Sequence, residues 1–368
     1  MKDQNALKVL AKVMGWEKTD LVSEYLPKLQ LLANYKYDHY QQFSPGKKFI
    51  ESLALWLNQF ELKDRETALN FVMEKLIFIS DAELSHLVDT AYPDQIVQER
   101  IRLVAGETGR PIFHIGKTIA SARFSELTIK TLYLGLSDGA RTNELRRAGK
   151  GEISNEQIWQ AYELGEEKAG DMIDELRNAL DSACMKSSPS RFNLVWLIDD
   201  FSGSGNTYIR YDADKLKFKG KIKKIYERLN VGDLVDKSHY EVYLLLYIAT
   251  RQAIDHIEYW AERFTSENGY KPLQLRVISI IDNENQLVRD ASTPLGAILT
   301  GEKYYDDKAH DKHTKIGGTE DVRMGFAECG LPIVLSHNTP NNSVYILWGP
   351  ASYKFQGLFP RVSRHKEF

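Results

Sequence analysis

Apolar side chains recur at helical spacing through residues 1 to about 110. In FIESLALWLNQF they fall at Phe49, Leu53, Trp56, Leu57 and Phe60, and in the following segment at Leu69, Val72, Met73, Leu76 and Ile77. This i, i+3, i+4 rhythm predicts helices with one buried face. SPGKK at 44–48 predicts a helix start, with Ser44 as cap and Pro45 in the first turn. Ser80 and Asp81 lead into AELSHLVDTAY, a further short amphipathic helix. The region reads as a helical domain, either a bundle that only packs or a module that docks a protein partner.

Further along, the pattern changes to near-continuous apolar runs. LTIKTLYLGL (127–136), NLVWLID (193–199), EVYLLLYIAT (241–250) and LQLRVISII (273–281) read as strands buried on both faces. Between them, residues 153–180 predict one long helix capped by Asn155 or Ser154, with Ile158, Tyr162, Ala169, Met172, Ile173, Leu176 and Leu180 on one face. RQAIDHIEYWAERF predicts another, with Ile254, Ile257, Ala261 and Phe264 inward. Strands alternating with helices predict an α/β fold, a parallel sheet with helices on both faces. The expected division is a helical domain at 1–110 and an α/β domain at 111–368. Near the end, LPIVLS and SVYILW read as two strands joined by HNTPNN (337–342), with Trp348 in the core.

Composition narrows the class. A chain of 368 residues with 43% hydrophobic content has ample material for a large core. A net charge of −3 gives no global attraction to nucleic acid. Cys184 and Cys329 form neither a zinc knuckle nor a disulfide framework, which points to a reducing, cytoplasmic setting. VYLLLYIA (242–249) is too short to span a bilayer, and Lys8 and Lys12 interrupt the N-terminal segment, so neither a membrane partner nor a signal peptide is expected.

The most informative stretch is VWLIDDFSGSGNT at 195–207. An apolar strand runs into two carboxylates, Asp199 and Asp200, then into Ser202, Gly203, Ser204, Gly205, Asn206 and Thr207. Glycines free the backbone to approach a ligand, and successive N–H groups can form an anion nest, extended by the helix expected next. The acids would repel a phosphate unless they accept hydrogen bonds from nearby hydroxyls or support Mg2+. A ribose 5-phosphate carrying a 1-pyrophosphate has these groups in that order.

VWLIDDFSGSGNT resembles the phosphoribosyl pyrophosphate signature of phosphoribosyltransferases, register for register. The resemblance implies a phosphoribosyltransferase-like, Rossmann-like sheet. It implies that Asp199 and Asp200 hold the ribose 2- and 3-hydroxyls and the metal, and that Ser202 to Thr207 bind the 5-phosphate. It also implies an upstream pyrophosphate loop, for which SDGAR (137–141) is the candidate. There Ser137, Asp138 and Gly139 offer backbone access and Arg141 a bidentate fork, although Arg141, Arg146 and Arg147 also read as a solvated helix face. Together LSDGAR, ISNEQ, DDFSGSGNT and LPIVLSHNTPNNSVYILW resemble the phosphoribosyltransferase-like effectors of bacterial conflict systems, associated with anti-phage defence and retrons. The implied function is binding of phosphoribosyl pyrophosphate or a nucleotide with Mg2+, with transfer or hydrolysis at ribose C1. The alternative is a non-catalytic nucleotide sensor, or a nucleic-acid- or protein-binding subunit of a defence complex.

Three other stretches have two readings each. HNTPNN is a lid whose Asn338 reads a base edge, or a plain loop. An insertion at about 208–240 carries Lys215, Lys217, Lys219, Lys221, Lys223 and Lys224; the alternate lysines read as one edge of a strand or an extended arm, for contact with RNA or DNA phosphates or as a solvated charge run. YYDDKAHDKH (304–313) offers Asp306, Asp307, His310, Asp311 and His313 as metal ligands or as a polar loop.

Overall fold

A computed structural model describes residues 3–16, 19–43, 46–163, 165–231, 233–310 and 314–361. In chain order it begins with helices α1 (Asp3–Met14), α2 (Thr19–Tyr35), α3 (Phe49–Leu57) and α4 (Leu62–Glu74). Strand β1 (Ile77–Ile79) and helices α5 (Asp81–Ala91), α6 (Gln98–Thr108), α7 (Ile115–Ile119) and α8 (Ala122–Ile129) follow. Strand β2 (Thr131–Gly135) then leads through α9 (Thr142–Ala148) to β3 (Ile158–Gln160), α10 (Glu166–Ser182) and β4 (Leu194–Ser202). Next come β5 (Arg210–Asp212), β6 (Lys217–Lys219), α11 (Lys221–Val231), β7 (Glu241–Thr250), α12 (Arg251–Asn268) and β8 (Leu273–Ile281). The last elements are α13 (Pro294–Thr300), β9 (Ile333–Leu335) and α14 (Tyr345–Trp348).

The chain forms two compact units, residues 1–83 with 282–368 and residues 84–281. This differs from a division at residue 110, because the N-terminal helices do not close a core by themselves. Leu10, Leu29, Phe49, Leu53, Trp56, Phe60, Leu69 and Val72 share one cluster with Val334, Val344, Leu347, Phe355 and Phe359. The indole N–H of Trp56 donates to Ile346 O at 2.9 Å, and β1 pairs in parallel with β9, Ile77 opposite Ile333. Ile77 thus leaves the helical pattern of α4 to join a strand. SVYILW does not form a strand. Its Tyr345–Trp348 turn is helical, with the buried Trp348 donating to Ser343 O at 2.8 Å. Ser44 and Pro45 lie outside the described residues. The helix expected there starts at Phe49, whose amide donates to Asp38 Oδ1 at 2.7 Å.

Residues 84–281 form the expected α/β architecture. Five parallel strands lie in the order β3-β2-β4-β7-β8. Because side chains alternate across a strand, Leu132, Leu134, Val195, Leu197, Val242, Leu244 and Leu246 face one side. There they meet Met172 and Leu176 of α10, Ile222 and Ile225 of α11, and Ile257 and Phe264 of α12. On the other side, Arg100 of α6 donates to the Tyr133 hydroxyl at 2.6 Å, and Trp196 stacks on Tyr243 with ring centroids 4.2 Å apart. The strand of LTIKTLYLGL is shorter than its apolar run, since Leu127 to Ile129 close α8.

The segment predicted as a single helix over 153–180 divides in two. Gln157 Oε1 accepts from the Ser154 amide and closes a tight turn, while Gln157 Nε2 donates to the carbonyls of Thr128, Ile129 and Thr131. That bracket turns Ile158 and Trp159 onto the sheet edge opposite Tyr133 and Leu134. Only after the extended Gly165 does α10 begin. Of the two readings of the alternate lysines, a strand holds at Lys217 and Lys219 and an extended arm does not. The lysine-rich insertion forms an antiparallel β5–β6 hairpin followed by α11.

Candidate functional site

The order β3-β2-β4-β7-β8 reverses direction between β2 and β4. In an open parallel sheet, ligands gather beyond the carboxyl ends of the strands at such a switch point. Here the register sets Gly135 opposite Ile198, so the loop after β2 and the end of β4 meet. These are SDGAR and DDFSGSGNT, and the structure brings them together.

Asp199 lies at their junction and is 3% exposed. Its Oδ1 accepts from the Ser137 hydroxyl and, at 3.2 Å, from the Asp200 amide. Its Oδ2 accepts from the Tyr208 hydroxyl at 2.9 Å and from the Lys221 ammonium at 3.0 Å. Burial, the largest influence, pushes this carboxyl above the usual range; Lys221 and Ser137 oppose the shift and Asp200 adds to it. Burial, with the charges of Asp199 and Asp200, also drives the Tyr208 hydroxyl well above its ordinary value, so it remains a donor. Asp200 projects to the opposite face, as the pleat requires. Its Oδ1 accepts from the Phe201 amide at 2.9 Å, and its carboxylate lies where a side chain at Gly139 would have to sit.

The loop itself turns its carbonyls inward. Gly203 O accepts from Thr250 Oγ1 at 2.6 Å, Gly205 O from the Tyr208 amide at 2.9 Å, Asn206 O from Arg210 at 2.9 Å and Thr207 O from the Lys221 amide at 3.1 Å. Among the described residues, the amides of Gly203, Ser204, Gly205, Asn206 and Thr207 donate to no protein acceptor. The Ser202 hydroxyl is likewise buried without a partner. Gly205 has φ +75°, and a Cβ there would lie 2.9 Å from His256 and 3.0 Å from Ala253 O, so glycine is required for the loop to lie against α12. The result is a run of backbone donors with no protein acceptor among the described residues, groups that an anion can satisfy. No helix follows the loop directly. The chain enters β5, and the first amides of α11, those of Lys221 and Ile222, are spent on the Thr207 and Tyr208 carbonyls. The expected helix-end contribution from the next segment is therefore not made by the first two amides of α11.

The other loop is less open. Ser137 Oγ accepts from the Gly139 amide at 3.1 Å, and Tyr247 OH donates to Ala140 O at 3.2 Å. Asp138 is exposed. Arg141, at φ 48°, pairs with Glu144 of α9 at 2.9 Å, and its side chain is 11% exposed.

A family model for PRTase-CE matches residues 53–361. The chain belongs to the PRTase-CE family. It is therefore phosphoribosyltransferase-like, and the match takes in the whole sheet and both loops. No curated protein and no solved structure is matched by the chain.

Asn338 belongs to the unit formed by 1–83 and 282–368, in a turn where its Oδ1 accepts from the Thr339 amide at 3.0 Å. Asp311 and His313 lie outside the described residues, among which no group of three or more His, Cys, Asp or Glu can hold a metal. Asp199 and Asp200 are thus no complete protein cage for Mg2+, and Asp199 is already paired with Lys221. The donor set fits an ion carried mainly on a ligand's phosphate oxygens. Among the described residues no helix is long and apolar enough to cross a membrane. Tyr208, Thr250 and Lys221 join the site although no sequence motif marks them as site residues. Adjacency to the motif is the signal for Tyr208; Lys221 is masked by the neighbouring lysines.

Proposed function

We propose that this PRTase-CE protein binds phosphoribosyl pyrophosphate or a nucleotide, with the 5-phosphate on the amides of Gly203 to Thr207. The sugar hydroxyls face Asp200, and the diphosphate faces Ser137, Asp138, Gly139 and Arg141. The supporting observation is the run of backbone amides without protein acceptors, beside two buried carboxylates at the sheet's switch point. In the reaction the bond from C1 to the pyrophosphate oxygen breaks, and the electron pair leaves with pyrophosphate. A bond forms from C1 to a base nitrogen or a water oxygen, which gives its proton to solvent water or to the departing pyrophosphate. Positioning between the two loops and cationic donors at the departing diphosphate favour that step. Arg141 reaches the diphosphate by exchanging Glu144 for it. Mg2+ on the diphosphate would add charge neutralisation. With water as acceptor, phosphoribosyl pyrophosphate gives ribose 5-phosphate and pyrophosphate, whereas with a nucleotide the C1–N bond breaks instead and the base leaves with the electron pair and takes up a proton; either activity suits the anti-phage effector role that the sequence resemblance suggests.

Pyrophosphate release from phosphoribosyl pyrophosphate and Mg2+ tests this reading. Release by the wild type and its loss in Asp200→Asn are expected. A non-catalytic sensor is the second reading, favoured by the Arg141–Glu144 and Asp199–Lys221 pairs. Saturable binding with no release, in the presence of candidate acceptors, supports it. Contact with RNA or DNA has narrower support. Lys219, Lys221 and Lys223 are paired with acids, leaving Lys215, Lys217 and Lys224 exposed.

A further inference from the structure

The two aspartates of the motif occupy different surroundings, and the difference assigns a residue that the motif does not contain. Both oxygens of Asp199 are taken, and 4% of its side chain meets solvent. Its partner Lys221 is 30% exposed. The Lys221 amide donates to Thr207 O at 3.1 Å, at the far end of the phosphate loop. Its ammonium reaches Asp199 Oδ2 at 3.0 Å, at the strand end from which the loop departs. The lysine side chain therefore spans the loop from last residue to root. The Tyr208 ring, with its centroid 5.4 Å from Nζ, holds the cation from another side. An ammonium has three N–H donors. Asp199 takes one, and the side chain, 30% exposed, belongs to a residue bonded through its amide to a loop whose Gly203 to Thr207 amides donate to no protein acceptor among the described residues.

We infer that Lys221 is a phosphate-binding residue of this site and that Asp199 is a positioning residue that acts through it. The inference rests on the phosphate-loop reading above. It also removes an electrostatic conflict. Two carboxylates adjoining a phosphate loop repel the ligand, and Lys221 cancels one of them at the root of that loop. The acids then divide the work: Asp200 faces the sugar, and Asp199 orients the lysine. The segment between the phosphate loop and β7 thus supplies part of the site through the first residue of α11.

Calorimetric titration with ribose 5-phosphate tests this on the full chain, comparing wild type, Lys221→Arg, Asp199→Asn and the Asp199→Asn/Lys221→Met double variant. The double variant leaves no unpaired buried charge, and thermal melts establish that each protein is folded. In the Asp199→Asn background, loss of Lys221 is expected to weaken binding by roughly tenfold to a hundredfold, the range for a hydrogen bond to a charged group. Lys221→Arg is expected to retain binding. If Lys221 only neutralises Asp199, the double variant and Asp199→Asn bind alike, which overturns the inference and leaves the loop reading standing. A folded wild type that does not bind ribose 5-phosphate overturns the loop reading itself.

Discussion

A methyl group at residue 139 would occupy the space now filled by the Asp200 carboxylate. Gly139→Ala therefore displaces the Asp200 carboxylate, which the proposed function sets against the sugar hydroxyls, while leaving the sheet intact. Affinity for phosphoribosyl pyrophosphate should fall about tenfold or more, the scale of one hydrogen bond to a charged group, with little change in Tm. Unchanged affinity would remove Asp200 from the site. Asp199 makes a prediction of opposite kind, in stability rather than binding. Burial foremost raises its carboxyl above the ordinary range. Folding then favours the proton, so this contribution to stability is full below the unfolded pKa, about 3.9, and is lost as pH rises through the higher folded value. The Tm of Asp199→Asn relative to wild type should rise from acid toward neutral pH. A difference that falls over that window contradicts the assignment.

Strands β7 and β8 and helix α12 lie where the apolar patterns predict them; β7 is a continuous apolar run buried on both faces, whereas β8, with Gln274, Arg276 and Ser279 in its run, is an edge strand and only partly buried, not buried on both faces as expected. The 153–180 segment was not legible in the same way. Ile158, Tyr162 and Ala169 satisfy a helical period, but the deciding contact is nonlocal: Gln157 reaches three carbonyls around β2. Gln157→Ala would strand those acceptors and free the edge strand. A loss of about 1–3 kcal/mol in denaturant unfolding is expected, with faster amide exchange along β2. A change within error would show that β3 is held by its ladder alone. The site divides along the same line. The acid pair and the glycine loop were legible because they are contiguous. Lys221 was not, because helix α11 brings it back to Asp199 across the β5–β6 hairpin, and alternate lysines suggested an extended strand instead.

On the scale of the whole chain, a helical rhythm in the first residues suggested a domain closed at 110, yet those helices share their core with residues after 282. The Phe49 ring stacks on Phe359 at 5.8 Å, and the Tyr40 hydroxyl donates to Pro360 O at 2.8 Å. A fragment of residues 1–110 should lack a cooperative melt, and adding 282–368 as a separate chain should restore one; a fragment that melts cooperatively by itself contradicts the shared core. Residues 84–281 carry both loops of the switch point and the central claim, that free backbone amides at 203–207 grip a phosphorylated pentose. Amide NMR shifts during titration with phosphoribosyl pyrophosphate and Mg2+ test it most directly. The account predicts saturable downfield movement of the Gly203 to Thr207 protons, reproduced by ribose 5-phosphate. Saturation of the ligand elsewhere, with those protons unmoved, would contradict it.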